Sequence, residues 1–348
     1  MLDQGSRISS VLKFFFHQLL AVFGKKSFHF PLAIYVYLTF SCNLRCSYCD
    51  DGSGHKFPEL SKSELSPNQW RYLFNLLVKF SDILMISGGE PMMYPQIQDI
   101  IKHAREAGFT FISLNTNGLL ITPEIVNSVD SIIISLDSLN KSRSDKIWNS
   151  PGATDQVIKT LDRLSGFSKP TLLVNSVILP GNIEDILEVM NYCGRKNITF
   201  SAGPALHKTK PVPGLLGNPR YKELLEKMIK AKRNGQKIAA SEKYLKGVGN
   251  FKRFNCHPLL VWRVYPDGGL VFPCSRIGKT AGNLIKKPNP IGLLKKAAGG
   301  YFFETNCGEN CPLSCYMDTS YMVQRPLELM KEGFNRFHMF SHFPQSKV

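Results

Sequence analysis

The sequence predicts an α/β fold: a partial (β/α)6 barrel of the TIM type, followed by a small cysteine-rich C-terminal domain. Between residues 34 and 200, six short apolar runs rich in β-branched residues alternate with four segments of helical periodicity. Strands joined by helical crossovers form parallel sheets, and in such a barrel the ligand-binding side chains follow the carboxyl ends of the strands. The composition agrees, since 43% hydrophobic and 20% charged residues are typical of a folded globular protein.

The elements and units follow in order along the chain. The predicted strands are residues 34–39, 83–87, 110–115, 131–136, 171–178 and 198–202, and the predicted helices are 67–79, 96–107, 155–165 and 183–193. The units are an N-terminal amphipathic helix (1–30), a barrel core (31–205), a basic helical connection (206–253) with a helix at 221–233, a cysteine-rich unit (254–320) and a C-terminal tail (321–348).

The N-terminal segment, residues 7–23, has apolar residues at helical spacing. Lys13 and His17 interrupt it, so it falls short of the ~20 apolar residues that span a bilayer. Gly24 and two lysines follow in place of a small-residue cleavage site, which argues against a signal peptide. Two alternatives stay open: the helix lies in a membrane interface, or it packs against the protein's own barrel.

Positive charge is the unusual feature of the composition. The chain has 43 Lys+Arg and 27 Asp+Glu, a net charge of +16. Residues 208–253 hold 13 Lys+Arg against 3 Glu, which is a local net charge of +10. Such an excess attracts anionic partners but does not choose among nucleic acid, lipid headgroups and phosphates.

Nine cysteines form two tight clusters far apart in sequence, with Cys193 between them. An odd number in this arrangement favours metal ligation over a disulfide scaffold, and thiolate clusters persist in reducing compartments. We therefore expect a cytoplasmic protein, with membrane-surface contact through residues 7–23 as the open alternative. Cys193 lies in a helical pattern and is expected to be a small buried hydrophobe.

The first cluster, Cys42, Cys46 and Cys49, follows the first predicted strand directly. Three thiols within eight residues are able to converge on one soft metal centre. A [4Fe–4S] cluster held by three thiolates leaves one iron open for a substrate or cofactor. Zinc would need a fourth ligand, such as His55 or Cys193.

The Cys-x3-Cys-x2-Cys spacing, with Tyr48 before the last cysteine, resembles the signature of the radical S-adenosylmethionine (SAM) enzymes. The second strand ends in Gly88-Gly89-Glu90-Pro91, which is similar to the GGEP motif of that family. The resemblance implies that the three cysteines hold a [4Fe–4S] cluster and that residues 88–91 bind the SAM amino group. It also implies an electron donor of the ferredoxin or flavodoxin type and reductive cleavage of SAM to a 5′-deoxyadenosyl radical that abstracts hydrogen from the substrate.

Small polar side chains at the ends of later strands extend this resemblance. It implies that Asn117, Ser135, Asp137 and Asn182 contact SAM, whereas turn capping and helix N-capping are the alternatives for these residue types. One departure is that relatives often carry an Arg before a Pro-Gly pair, while residues 148–152 read Trp-Asn-Ser-Pro-Gly. No SAM contact is predicted by that route.

The second cluster begins with Cys256, Gly269 and Cys274. Residues 261–272 between the two cysteines predict a hairpin with a Pro-Asp-Gly turn, which would bring the two thiols together. The C-x12-G-x4-C spacing resembles the start of the SPASM and shorter twitch extensions, which hold auxiliary iron–sulfur clusters.

Three more cysteines, Cys307, Cys311 and Cys315, follow at a compressed spacing. Together with the first two they supply enough thiols for one auxiliary [4Fe–4S] cluster, held by Cys256, Cys274 and two of the last three. Which two stays open, and so does the alternative of a structural zinc site.

Three functions are compatible with these patterns. The first is a radical SAM enzyme acting on an anionic or lipid-linked substrate held by the basic segment. The second is a radical SAM enzyme that modifies a peptide, a protein or RNA. The third is a non-catalytic iron–sulfur or zinc protein that binds nucleic acid through basic residues interleaved with Tyr221, Tyr244, Phe251 and Phe254. Nucleic acid is the less favoured partner, and the sequence does not predict the exact reaction, the substrate or the oligomeric state.

Overall fold

The computed structural model describes residues 31–49, 63–207, 209–299 and 311–323. The predicted helix at 7–23, His55, Cys307 and most of the predicted tail lie outside the described residues.

Six parallel strands form the core of the fold in sequential order. They are β1 Ala33–Tyr37, β2 Ile83–Ser87, β3 Phe111–Thr116, β4 Ser131–Ser135, β5 Thr171–Ile178 and β6 Thr199–Pro204. All six predicted strands are confirmed to within a few residues at their ends. In the described part of the chain the sheet is open, so the architecture is a partial barrel, as predicted.

Helices cover the outer face of this sheet. They are α1 Pro67–Leu77, α2 Ile97–Ala107, α3 Pro123–Ser128, α4 Lys141–Trp148, α5 Ala153–Leu164 and α6 Ile183–Arg195. The four predicted helices are confirmed as α1, α2, α5 and α6. The short helices α3 and α4 were not predicted, because six or eight residues give too little periodicity to separate from a turn.

Side chains alternate between two environments along each strand. Ile34, Leu84, Ile112 and Ile132 are fully buried beneath the helices. Their neighbours in sequence point to the concave face and are smaller, polar or half-buried. One side of the sheet therefore supplies the hydrophobic core, and the other side is available for ligands.

In the described residues after β6, a two-stranded hairpin and further helices precede and follow the strands of the cysteine-rich unit. They are β7 Leu206–His207, β8 Lys210–Pro211, α7 Pro219–Arg233, α8 Glu242–Gly249, α9 Pro290–Ala297 and α10 Ser314–Val323. The predicted basic helix at 221–233 is confirmed as α7.

The predicted hairpin is present and has an unpredicted role in the sheet. Strands β9 Val261–Val264 and β10 Gly269–Val271 are antiparallel, and β11 Thr280–Asn283 follows. Strand β9 also pairs with β1 in parallel, so the sheet has nine described strands in the order β11-β10-β9-β1-β2-β3-β4-β5-β6. The cysteine-rich unit thus covers the edge of β1, which would otherwise expose unpaired backbone groups.

The aromatic residues of the basic segment belong to the core. Tyr221, Tyr244 and Phe251 are at most 3% exposed, and Tyr221 stacks on Phe251 with ring centroids 5.6 Å apart. Helices α7 and α8 therefore present charged side chains outward and aromatic side chains inward. The nucleic-acid alternative therefore loses three of the four aromatic side chains on which it depends, and the fourth, Phe254, is half-buried.

Two further expectations concern single elements. Cys193 on α6 is fully buried in the hydrophobic core, as expected for a small apolar side chain, and burial raises the pKa of its thiol to about 12. No helix in the described ranges is both long and apolar enough to cross a membrane.

Replacing Gly268 in the hairpin turn tests how much the turn contributes to stability. Gly268 has φ +86°, and an added Cβ would lie 3.1 Å from the Ile285 side chain. We expect Gly268→Ala to lower the free energy of unfolding by about 1–2 kcal/mol, since non-glycine residues are strained in this region. Urea unfolding followed by circular dichroism measures it. Gly166→Ala, whose added Cβ meets nothing within 4 Å, is the matched control; equal losses in both variants would contradict the prediction.

Candidate functional site

The first three cysteines lie on the loop that leaves β1 at the carboxyl edge of the sheet. Cys42, Cys46 and Cys49 are all half-buried. The backbone N–H of Cys49 donates to the carbonyl of Cys46 at 3.0 Å, and the N–H of Leu44 donates to Cys42 Sγ at 3.4 Å. Hydrogen bonds within residues 42–49 thus hold the loop that carries the three thiols in a folded conformation.

The chemistry of these thiols fits a metal cluster. Burial raises the pKa values of Cys42 and Cys46, and the charges of neighbouring thiolates raise them further. The side chains therefore stay neutral thiols unless a cationic partner stabilises them as thiolates. In the described residues no group of three or more metal-ligating side chains converges on a single-ion site. In an iron–sulfur cluster each thiolate binds its own iron, so the sulfur atoms need not meet at one point.

The backbone of the Gly-Gly-Glu-Pro segment is hydrogen-bonded to the backbone at the start of the cysteine loop. The N–H of Gly89 donates to the carbonyl of Thr39, and the N–H of Glu90 donates to the carbonyl of Ser41, both at 2.8 Å. A Cβ on Gly88 would lie 2.4 Å from the Thr39 carbonyl oxygen, and one on Gly89 would lie 2.2 Å from that of Ser41. Side chains are excluded here because two backbone segments touch.

Glu90 joins this segment to the end of β3. Its side chain is 1% exposed and accepts hydrogen bonds from Thr116 Oγ1 at 2.7 Å, from the Asn117 N–H at 2.7 Å and from the Met92 N–H at 3.0 Å. Burial raises the pKa of Glu90, and these three hydrogen bonds oppose the rise. Asn117 Nδ2 in turn donates to Asn43 Oδ1 at 2.6 Å, inside the cysteine loop.

Asp137, which follows β4, forms a second connection to the same loop. It is fully buried and accepts hydrogen bonds from Tyr48 OH and Trp148 Nε1 on one oxygen and from the Val177 N–H on the other, each at 2.7 Å. Burial raises the pKa of Asp137, and the hydrogen bonds oppose it. Tyr48, the aromatic residue of the cysteine motif, is therefore held by a carboxylate that follows a strand three positions along the sheet.

The remaining predicted SAM contacts lie at the same edge. Asn182 is fully buried; its Oδ1 accepts from the Leu179 N–H at 2.7 Å, and its Nδ2 donates to the carbonyls of Asp137 and Val177. It occupies the N-cap position of α6 without a side-chain cap bond. Ser135 ends β4 and is half-buried, and Pro91 is buried at the start of a short 3-10 turn. The structure brings all of these residues to one edge, and their contact with SAM remains a prediction.

The concave face beside the cysteine loop is polar, which sequence reasoning did not single out. Its half-buried side chains at the ends of successive strands are Ser87, Asn115, Ser135, Asn175 and Ser201. Asn115 Oδ1 is buried without a hydrogen-bond partner in the described residues. An orphaned acceptor of this kind indicates a place for a polar ligand. The signal in the sequence was the polar residue at the last inward position of each strand.

The second cysteine cluster is only partly described. Cys274 and Cys315 interact electrostatically, and Tyr316 lies within the influence of both thiols and of Cys256. Burial raises the pKa of the Cys274 thiol, while the Arg263 guanidinium opposes the rise. Cys311, on the segment leading into α10, is buried. Cys256, Cys274 and Cys315 are thus all close enough to Tyr316 to raise the pKa of its hydroxyl.

Known proteins can now be compared with this geometry. Residues 36–193 match the family model described as "Radical SAM superfamily". The chain therefore contains a radical SAM domain. That domain covers the cysteine loop, the Gly-Gly-Glu-Pro segment and the ends of β3, β4 and β5.

Individual relatives extend the comparison. The AdoMet-dependent heme synthase of Methanosarcina barkeri is 30% identical over 155 residues, which is 43% of this chain and 43% of that protein. The sporulation killing factor maturation protein SkfB of Bacillus subtilis is 25% identical over 281 residues, which is 77% of this chain and 66% of that protein. The aligned part is thus at most two thirds of either relative's own length.

Among solved structures, Streptococcus suis SuiB bound to precursor peptide SuiA is similar in fold. Its TM-score is 0.63 at 18% identity, covering 87% of this chain and 73% of that one. At this identity the likeness establishes the fold, a largely parallel partial barrel, and no more.

Replacing Gly89 tests the backbone contact between its segment and the cysteine loop. In Gly89→Ala the methyl group would overlap the Ser41 carbonyl, so we expect the loop to be displaced and at least half of the iron and sulfide bound by the first cysteines to be lost. Iron and sulfide counts after anaerobic reconstitution measure this. Gly181→Ala, whose Cβ meets nothing within 4 Å, is the control; full iron loading of Gly89→Ala would contradict the prediction.

Asp137→Asn tests the second connection. The asparagine amide would turn an N–H toward one of the three groups that donate hydrogen bonds to Asp137. Because that buried donor is left without an acceptor, we expect the free energy of unfolding to fall by about 2–3 kcal/mol. Tyr48→Phe removes a single hydrogen bond and should cost about half as much. Asp155→Asn, at an exposed ion pair, is the control and should cost less than about 1 kcal/mol. Chemical denaturation measures all three, and equal stability of Asp137→Asn and Asp155→Asn would contradict this role.

Proposed function

We propose that this chain is a radical SAM enzyme that modifies a peptide, with an auxiliary [4Fe–4S] cluster held by the C-terminal cysteines. The observation that carries the proposal is the cysteine loop fixed at the carboxyl edge of a radical SAM domain by two buried carboxylates. Bound there, a [4Fe–4S] cluster and SAM supply a 5′-deoxyadenosyl radical able to remove hydrogen from an unactivated carbon.

The chain's own residues perform the remaining tasks. Cys42, Cys46 and Cys49 hold the first cluster, and Glu90 and Asp137 keep their loop in register with the strand ends. The concave face orients the substrate through its ring of hydroxyl and amide groups. The barrel walls limit the access of water to the reacting atoms.

Two comparisons support a peptide substrate. SkfB is named as a maturation protein, and its alignment continues past the radical SAM domain into the C-terminal unit, as its coverage of 77% of this chain requires. SuiB carries a precursor peptide in its crystal structure. A peptide also suits the outward-facing lysines and arginines of α7 and α8 if its recognition segment is acidic.

The auxiliary cluster is supported by the shared environment of Cys256, Cys274 and Cys315. The hairpin β9–β10 lies beside β1, which is the strand that leads into the first cysteine loop. We propose that this cluster relays an electron to or from the substrate, and that a ferredoxin or flavodoxin is the external donor.

Alanine replacement of Cys42, Cys46 and Cys49 together tests the radical SAM assignment. We expect 5′-deoxyadenosine formation from SAM and dithionite to fall below detection, while one iron–sulfur cluster per chain survives. Chromatography of the nucleoside and iron counts provide the measurement. Cys193→Ala is the matched control, since that thiol lies in the core, and it should retain SAM cleavage. Cleavage by the triple variant would overturn the assignment.

The peptide substrate is tested with a synthetic peptide translated from a short reading frame adjoining the gene, and the absence of any such reading frame would count against a peptide substrate. With that peptide deuterated at its carbon positions, we expect deuterium in 5′-deoxyadenosine and a mass change in the peptide. In separate assays, vesicles of deuterated anionic lipid and a mixture of deuterated phosphorylated metabolites replace the peptide as competing substrates. Deuterium transfer from the lipid or the metabolites, with none from the peptide, would favour the anionic or lipid-linked substrate.

A further inference from the structure

Arg263 on β9 is a buried cation between Cys256 and Cys274, at a position to which the cysteine motif assigns no role. It pairs in register with Tyr35 of β1, so it lies on the concave side of the sheet, and it is 4% exposed. Its guanidinium carbon lies 5.1 Å from the ring centroid of Tyr35, 5.3 Å from that of Tyr37 and 5.8 Å from that of Tyr316. Three aromatic rings therefore surround the charge.

No carboxylate in the described residues forms an ion pair with this guanidinium. Its Nη1 donates to Ser275 Oγ at 2.6 Å and to Tyr316 OH at 3.4 Å, and its Nε is buried without a hydrogen-bond partner in the same described part of the chain. A buried charge without a counter-ion is strongly unfavourable. We therefore expect an anion close to the Arg263 guanidinium once the protein has bound its cofactors.

The position of the donors identifies that anion. Nη2 lies 3.8 Å from Cys315 Sγ, and Ser275, which accepts from Nη1, is the neighbour of Cys274 in sequence. A [4Fe–4S] cluster with four thiolate ligands carries a net charge of 2− when oxidised and 3− when reduced by one electron. The guanidinium is thus directed at the place where the proposed function puts the auxiliary cluster and its negative charge.

We propose that Arg263 is a positioning residue for the auxiliary cluster, whose fixed positive charge raises the reduction potential of that cluster. The inference rests on the proposed function, because it requires the auxiliary cluster to be present. A nearby positive charge stabilises the reduced, more negative form more than the oxidised form. The auxiliary cluster then becomes a better acceptor for an electron released by a substrate radical.

The experiment measures the midpoint potential of the auxiliary cluster alone. The full-length chain with Cys42, Cys46 and Cys49 replaced by alanine removes the first cluster, and a dithionite titration followed by electron paramagnetic resonance reports the one-electron couple of the second. In this background we expect Arg263→Gln to shift the reduction equilibrium at least tenfold toward the oxidised form, which is about 59 mV lower in potential. Arg263→Lys keeps the charge and should stay within a few-fold of the parent.

A second pair of variants keeps Arg263 in place. Ser275→Asp puts a carboxylate against the guanidinium and should also lower the potential tenfold or more, whereas Ser275→Asn has the same shape without the charge and should not. Arg220→Gln on the surface of α7 is the matched control for losing one positive charge. Should Arg263→Gln fail to fold, the two Ser275 variants decide the question.

The outcomes separate this inference from the proposed function. A triple-alanine background without iron and sulfide overturns the auxiliary cluster and this inference together. A loaded cluster whose potential is unmoved in both Arg263→Gln and Ser275→Asp overturns the role of Arg263 alone. A lower potential in both charge-altering variants, with the parent value in Arg263→Lys and Ser275→Asn, supports it.

Discussion

Two buried carboxylates, Glu90 and Asp137, fix the loop on which the chemistry of this protein depends. Each accepts three hydrogen bonds from donors on several segments, and each reaches the cysteine loop, Glu90 through Asn117 and Asp137 through Tyr48. A carboxylate in a low-dielectric site is stable only when its acceptors are satisfied, so the strand ends and the loop must assemble together or not at all. The loop thereby acquires the rigidity of the sheet, although it contains no regular secondary structure of its own.

The same sheet brings the two cysteine clusters into one structure. Because β9 pairs with β1, the C-terminal hairpin begins beside the strand that leads into the first cysteine loop. Tyr37, Phe40 and Tyr265 fill the space between the hairpin and that loop, with ring centroids 5.3–6.0 Å apart. Aromatic packing of this kind sets the distance between two sites more firmly than a flexible linker does. The electron relay proposed above would need such a fixed separation, which strand pairing would supply.

Local patterns predicted the parts of the site that are local in sequence. The six strands, the cysteine spacing, the Gly-Gly-Glu-Pro segment and the Pro-Asp-Gly hairpin all depend on residues within about a dozen positions of one another. The parallel pairing of β9 with β1 joins residues more than 220 positions apart, and no periodicity encodes it. Arg263 was missed for this reason: in the sequence it is one basic residue of a short strand, and only the pairing buries it among aromatic rings. Gly88 and Gly89 were recognised from their motif. Their contact with the backbone of residues 39–41 is visible only in the structure.

The charge distribution explains why so basic a chain is compatible with buried sites of opposite sign. Residues 208–253 carry a net charge of +10 out of the total of +16. On α7 and α8 within this segment, lysine and arginine side chains reach solvent and some pair with glutamates of the same or the adjacent helix. Inside the protein, thiols and carboxylates cluster at the carboxyl edge of the sheet, and Arg263 is a buried cation 3.8 Å from Cys315 Sγ. The surface charge is screened by salt over about 10 Å, so it acts on the encounter with a partner. The interior charges are screened much less, and they determine which cofactor states the fold stabilises.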